Sequence, residues 1–121
     1  MTMLETKVEL AEAEERMSHS VLRIRAYSPF FGTLALFAER KITNDFPTAA
    51  TNGRTIFFNP DFMATLSDRE LDGVMLHEIL HAALRHTHRV GKEDRRLWNI
   101  AADIVVNGLV AGEPWAALPE G

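Results

Sequence analysis

From residue 4 to residue 24 the chain is rich in Glu, Ala, Leu and Arg. Leu10, Met17, Val21 and Ile24 recur there at helical spacing, which predicts an amphipathic helix. Ser28 and Pro29 read as the N-cap and first residue of a second helix, whose buried side is expected to carry Phe30, Leu34 and Phe37. Between residues 46 and 60 the pattern changes. In TAATNGRTIFF, Asn52-Gly53 separates two short β-tolerant runs, a hairpin signature in which both turn positions accept positive φ. Arg54 to Phe58 is the better strand of this two-stranded ribbon, and Asn59-Pro60 ends it. A lone hairpin is marginal in water, so the ribbon is expected to pack on the helices. In LSDRE, Ser67 and Glu70 form a capping box and Leu66 can staple to Leu71. A helix therefore starts at about Asp68 and can run to about His88, before Gly91. A last helix spans roughly Arg95 to Val110, and Gly112, Pro114 and Pro119 mark an irregular tail. The pattern gives an α+β, mostly helical chain of one domain, 1–121, with a helical N-terminal extension at 1–27 and the irregular tail at 111–121.

Composition narrows the chemistry. The 121 residues are 46% hydrophobic and 25% charged, the balance of an ordinary globular domain. A formal charge of -4 offers no general attraction to nucleic acid or to an anionic membrane. Without cysteine, disulfides, thiolate catalysis and thiolate metal sites are excluded, so any metal must be held by His, Asp or Glu. MTMLETKVELAEAEERM lacks the basic flank and apolar run of a secretory signal, and no stretch approaches the roughly 20 apolar residues of a membrane span. The expected location is the cytoplasm.

The helix from about Asp68 is apolar nearly all round and so is expected to be buried. Its stretch VMLHEILHAALRH nevertheless holds His77, Glu78 and His81. At about 100° per residue, His81 falls roughly 40° and Glu78 roughly 100° from His77, while Met75, Leu76, Ile79, Leu80 and Ala83 fill most of the rest of the wheel. Buried polar groups left without partners cost roughly 1 to 3 kcal/mol each, so this stripe needs a partner. A divalent cation supplies one. Histidines at i and i+4 converge on a single ion, and a carboxylate beside them acts as general base, the H-E-x-x-H arrangement of zinc metallopeptidases. The last helix carries a matching stripe, with Asn99 and Asn107 flanking Asp103, in surroundings expected to be buried. Two antiparallel helices turning near Gly91 would bring Asp103 to the histidines, either as a third ligand or as a group orienting one imidazole by hydrogen bonding.

The remaining candidates are weaker. His86 lies on the far side of the wheel, and His88 is about 16 Å along the axis from His77. Both read as C-terminal helix residues beside the negative dipole end. His19 reads as solvated. Arg85, Arg89, Lys92, Arg95 and Arg96 form a basic turn diluted by Glu93 and Asp94, which suits a solvated loop better than a nucleic-acid contact. Trp98 and Trp115 read as core or tail anchors.

Taken in order, TAATNGR, FFNPDF, LHEILHAALRH and WNIAADIVVN resemble a bacterial and phage family of metal-dependent peptidases, over about residues 28 to 120. In that family such a domain often precedes a von Willebrand A-like segment, and the sequence ends at Gly121 before one, as a short stand-alone member or a fragment. The resemblance implies a zincin-like core: a small sheet packed on the helix of His77 and His81, followed by a ligand-bearing helix. It implies one zinc ion held by His77, His81 and Asp103, with Glu78 as catalytic base. The implied partners are a peptide or protein substrate and a von Willebrand A-like or ATPase partner, with no membrane; nucleic acid is not expected. The expected function is zinc-dependent hydrolysis of peptide bonds, with the Arg54 to Phe58 strand pairing with an extended substrate. The alternatives are a non-catalytic metal-stabilised interaction module and a protease acting on DNA-bound proteins.

Overall fold

The computed structural model describes residues 3–86 and 95–119, with side chains described over 7–84 and 102–119. Among these run, in order, α1 (Met3–Tyr27), α2 (Pro29–Ala35), β1 (Glu39–Ile42), β2 (Ala49–Thr51), β3 (Thr55–Phe58), α3 (Pro60–Ala64), α4 (Asp68–His86) and α5 (Arg95–Ala111). The architecture is α+β and mostly helical, as the periodicity predicts. No described helix is long and apolar enough to cross a membrane.

α1 turns Ala13, Met17, Val21 and Ile24 into the core. Leu10, counted in the same stripe, instead stands 42% exposed at the rim of a groove between α1 and α3. Polar contacts then fix α1 to α4. Asp72, 2% exposed, accepts from Ser20 Oγ at 2.7 Å and from Arg23 Nε and Nη2 at 2.8 and 2.7 Å. A forked guanidinium against a buried carboxylate sets orientation as well as charge balance, and the Asp72 hydrogen bonds hold the Arg23 pKa above its ordinary value.

Ser28 caps α2 as expected, accepting from Phe31 N at 3.3 Å, but the helix presents the other side to the core. Phe31, Ala35 and Ala38 are buried, Leu34 is half-buried, and Phe30 and Phe37 are 68% and 79% exposed. A helix of only seven residues is oriented by what it lies on. Here Gly32 sits so close to α1 that a Cβ would come within 2.8 Å of the Arg25 backbone, which brings its neighbour Phe31 inward.

The hairpin forms with Ala49↔Phe58, Ala50↔Phe57 and Thr51↔Ile56 in register. Of the two turn residues only Gly53 has positive φ, at 95°. Asn52 keeps negative φ and closes the turn with its side chain, Oδ1 accepting from Arg54 N and Thr55 N at 2.9 Å each. The ribbon is also not two-stranded. β1 joins in parallel on the far side of β3, giving the order β1-β3-β2. Its sequence, ERKI, reads as polar because an edge strand can keep charged side chains in water. A further element begins where the ribbon ends: Asn59 caps α3, with Pro60 at the first helical position.

The capping box of α4 is closed both ways, Ser67 N donating to Glu70 Oε1 at 3.0 Å and Glu70 N to Ser67 Oγ at 3.1 Å. Beyond α5 the tail packs back on the start of α4. Ala117 N donates to Arg69 O, and a Cβ on Gly73 would meet Ala117 O at 1.9 Å, so only glycine admits that approach. Trp115 stacks on Tyr27 at 5.3 Å between ring centroids and anchors the tail. The turn around Gly91, with His88, Arg89 and Lys92, lies outside the described residues, as do the side chains of Arg85, His86, Arg95, Arg96, Trp98 and Asn99.

Candidate metal centre

α4 is packed against α1, α2, α5, β2 and β3. From Leu71 to Leu80 every residue except His77 is buried. The apolar wheel explains this enclosure, and between Leu71 and Leu80 it is His77 that opens it. The two rings stand one turn apart, 4.6 Å between centroids and inclined by 65°. His77 Nδ1 is 3.3 Å from Oε1 of Glu78, whose residue is 8% exposed. A neutral His77 donating that proton keeps Nε2 as an acceptor.

Asp103 comes from α5. That helix buries Ala102, Val106 and Val110 at a spacing of four and sets Asp103 one residue to the side, with its side chain 58% exposed. Its Oδ1 lies 2.7 Å from His81 Nε2. The prediction that α5 is buried around its polar stripe is not met: Ile104 and Val105 are 69% and 53% exposed, and Asn107 is exposed. Over its described side chains, 102–111, α5 is covered on the side that carries Ala102, Val106 and Val110, and it packs on α4.

Burial pushes the His81 pKa below 6.5, and the neighbouring His77 acts in the same direction. Asp103 and Glu78 pull upward and do not prevail, since Asp103 stands largely in water where its field is screened. The short His81–Asp103 contact thus pulls against burial without lifting the His81 pKa above its ordinary value. Neutral imidazole is the form that ligates a metal.

One ligand atom from each of His77, His81 and Asp103 lies within 4.8 Å of the other two. Donors on a tetrahedral ion at about 2.0–2.1 Å are separated by roughly 3.4 Å, so small side-chain movements would close this set on one cation. Two nitrogens, one carboxylate oxygen and no thiolate suit a borderline divalent ion better than calcium or magnesium. The residues fit the group. The site opens into a cavity of about 360 Å³ lined by these three residues, Glu78, and Ala49, Ala50 and Thr51 of β2.

All four residues singled out from the sequence thus line one cavity. Ala49, Ala50 and Thr51 were missed as site residues; the available signal was a run of small side chains leading into the hairpin turn. The idea that β3 pairs with a substrate is corrected, because β3 is the central strand and both its edges are taken. His19 lies exposed on α1, its Nε2 3.9 Å from Glu15.

Comparison with known proteins matches residues 12–121 to the model of a family described as "Putative metallopeptidase domain". The chain is also similar to an uncharacterized protein of Thermotoga maritima, 26% identical over 105 residues that cover 79% of this chain and 26% of that one. The chain therefore spans about a quarter of that relative's length. No solved structure matches it.

Proposed function

The chain belongs, across residues 12–121, to the family described as "Putative metallopeptidase domain", and on that premise we propose that it is a zinc-dependent peptide hydrolase with His77, His81 and Asp103 as metal ligands and Glu78 as general base. The observation that carries this reading is the convergence of three donors from two helices, with a carboxylate in the next residue after the first imidazole. When bound, zinc supplies a Lewis acid that polarises a carbonyl and acidifies water.

The chain's own residues do the rest. His77 and His81 are held by a helix packed on most of its circumference, so few rotamers compete with the converging ones. Glu78 offers its carboxylate to the same cavity, takes the proton from the attacking water and returns it to the leaving nitrogen. β2, not β3, is the edge strand beside the site, and it is β2 that would receive an extended substrate by strand addition. The methyl groups of Ala49 and Ala50 leave room there for a second backbone.

Glu78→Gln tests the reading. The variant should keep its zinc, measured by elemental analysis, and lose about 100-fold or more of its cleavage of a fluorogenic peptide mixture. Undiminished cleavage removes Glu78 from the mechanism. A wild-type protein that holds zinc and cleaves nothing is a metal-stabilised module instead.

A further inference from the structure

A second groove lies away from the histidines. It is bounded by α1, α3 and the end of β1, and encloses about 650 Å³. β1 and β2 form opposite edges of the sheet, so this groove and the metal centre are separate sites. Ala13, Ile42, Pro60 and Met63 give it an apolar lining, and Glu9, Glu12 and Asp61 stand around it. A volume in this range accommodates several side chains rather than a single ion.

The charge there is left unbalanced by the fold itself. Arg16 follows Glu12 by one helical turn and would ordinarily offset it. Its guanidinium instead crosses to the far wall, donating to Met63 O at 2.7 Å, Leu66 O at 2.9 Å and Asp68 Oδ1 at 3.2 Å. Glu9, Glu12 and Asp61 form no ion pair among the described residues. Arg16 also lines the groove, but its guanidinium is already engaged on the far wall, so three carboxylates without an ion pair beside an apolar lining are complementary to an aliphatic side chain flanked by cations.

We propose that this groove docks a cationic peptide segment of a partner protein, with leucine or isoleucine in the groove and lysine or arginine against Glu9, Glu12 and Asp61. The site is independent of the metal centre and needs no hydrolase activity. The probe is a fluorescein-labelled peptide, Lys-Leu-Leu-Lys-Lys-Leu-Leu-Lys, titrated with the full chain and followed by anisotropy. Glu9→Gln/Glu12→Gln/Asp61→Asn should weaken binding about tenfold, the sum expected of three solvent-facing charge contacts. Glu14→Gln/Glu15→Gln/Glu39→Gln removes the same charge from exposed positions outside the groove and should change binding by less than about twofold. Ala64→Arg adds a cation at an exposed position lining the groove and should also weaken binding about tenfold, with little risk to the fold. Equal losses in the two triple variants reduce the interaction to net charge and overturn the proposal. So does undiminished affinity for a peptide with serine in place of leucine, or no binding to the wild type.

Discussion

α4 and α5 read alike in sequence, each a run of apolar residues broken by one narrow polar stripe, and the fold treats them differently. In α4, Leu71, Met75, Leu76 and Ile79 are at most 1% exposed and lie on several sides of the helix. In α5 the covered stripe is Ala102, Val106 and Val110, while Ile104 and Val105 face water. The candidate centre therefore joins two kinds of donor. Its imidazoles stand on a helix immobilised by packing, and its carboxylate stands on a helix covered on one side, aimed by a single 2.7 Å hydrogen bond. Preorganisation comes from α4, and α5 contributes charge.

The largest effect should separate the two helices in metal affinity. His81→Ala removes a ligand and the group that aims Asp103, and should weaken zinc binding by at least about 1000-fold in a chelator competition. Asp103→Asn keeps the shape of the side chain and leaves two imidazoles on their rigid helix. Its loss should be on the order of 100-fold, the upper end for a group whose removal disorients a ligand. Equal losses would mean that α5 is as decisive as α4, and an unchanged Asp103→Asn would take Asp103 out of the centre.

The next effect is on stability. Leu76 is fully buried on α4, and Leu76→Ala should cost about 2–5 kcal/mol in urea unfolding, through lost burial and the cavity left behind. A cost below about 1 kcal/mol would mean that the packing of α4 is looser than its burial implies.

The same contrast explains what was legible in the sequence. The start of α4 was, because a capping box is a local signal written in Ser67 and Glu70. The pairing of His77, Glu78 and His81 on one helix was too, since it depends only on helical spacing. Asp103 could be found because one acidic residue interrupts an apolar run. What depended on partners distant in sequence was not legible. β1 exists through its pairing with β3, Glu39 to Ile42 lying opposite Thr55 to Phe58, and nothing within ERKI announces it. The inward side of α2 was set by contact with α1, so Phe31 rather than Phe30 is buried. The carboxylate of Asp72 is covered because Ser20 and Arg23 arrive from α1, a contact no local pattern encodes.

Acid should act through His81 on α4. Burial holds the His81 pKa in the fold below 6.5, its ordinary value, so as pH falls below 6.5 the unfolded chain takes up a proton that the folded chain resists. The His81 contribution is fully present above pH 6.5 and is lost as pH falls through the folded value. Metal-free protein should therefore have a lower urea midpoint at pH 5.5 than at pH 7.5, and His81→Gln should flatten that difference. An equal slope in the variant would assign the acid sensitivity to other groups.

The smallest effect is the most diagnostic for α5. Ile104 is 69% exposed, so Ile104→Ala removes little buried surface. Alanine is also the better helix former, which favours the variant by a few tenths of a kcal/mol. The expected outcome is a stability within about 0.5 kcal/mol of the wild type, on the stabilising side. The identical change in side-chain size within α4, at Ile79, should cost several times more, because there the methyl groups leave a packed core. If Ile104→Ala instead cost 2 kcal/mol or more, the outer side of α5 would have to be covered in solution. Asp103, one residue away, would then sit at the edge of an interface rather than in water, and its share in metal affinity would rise toward that of His81.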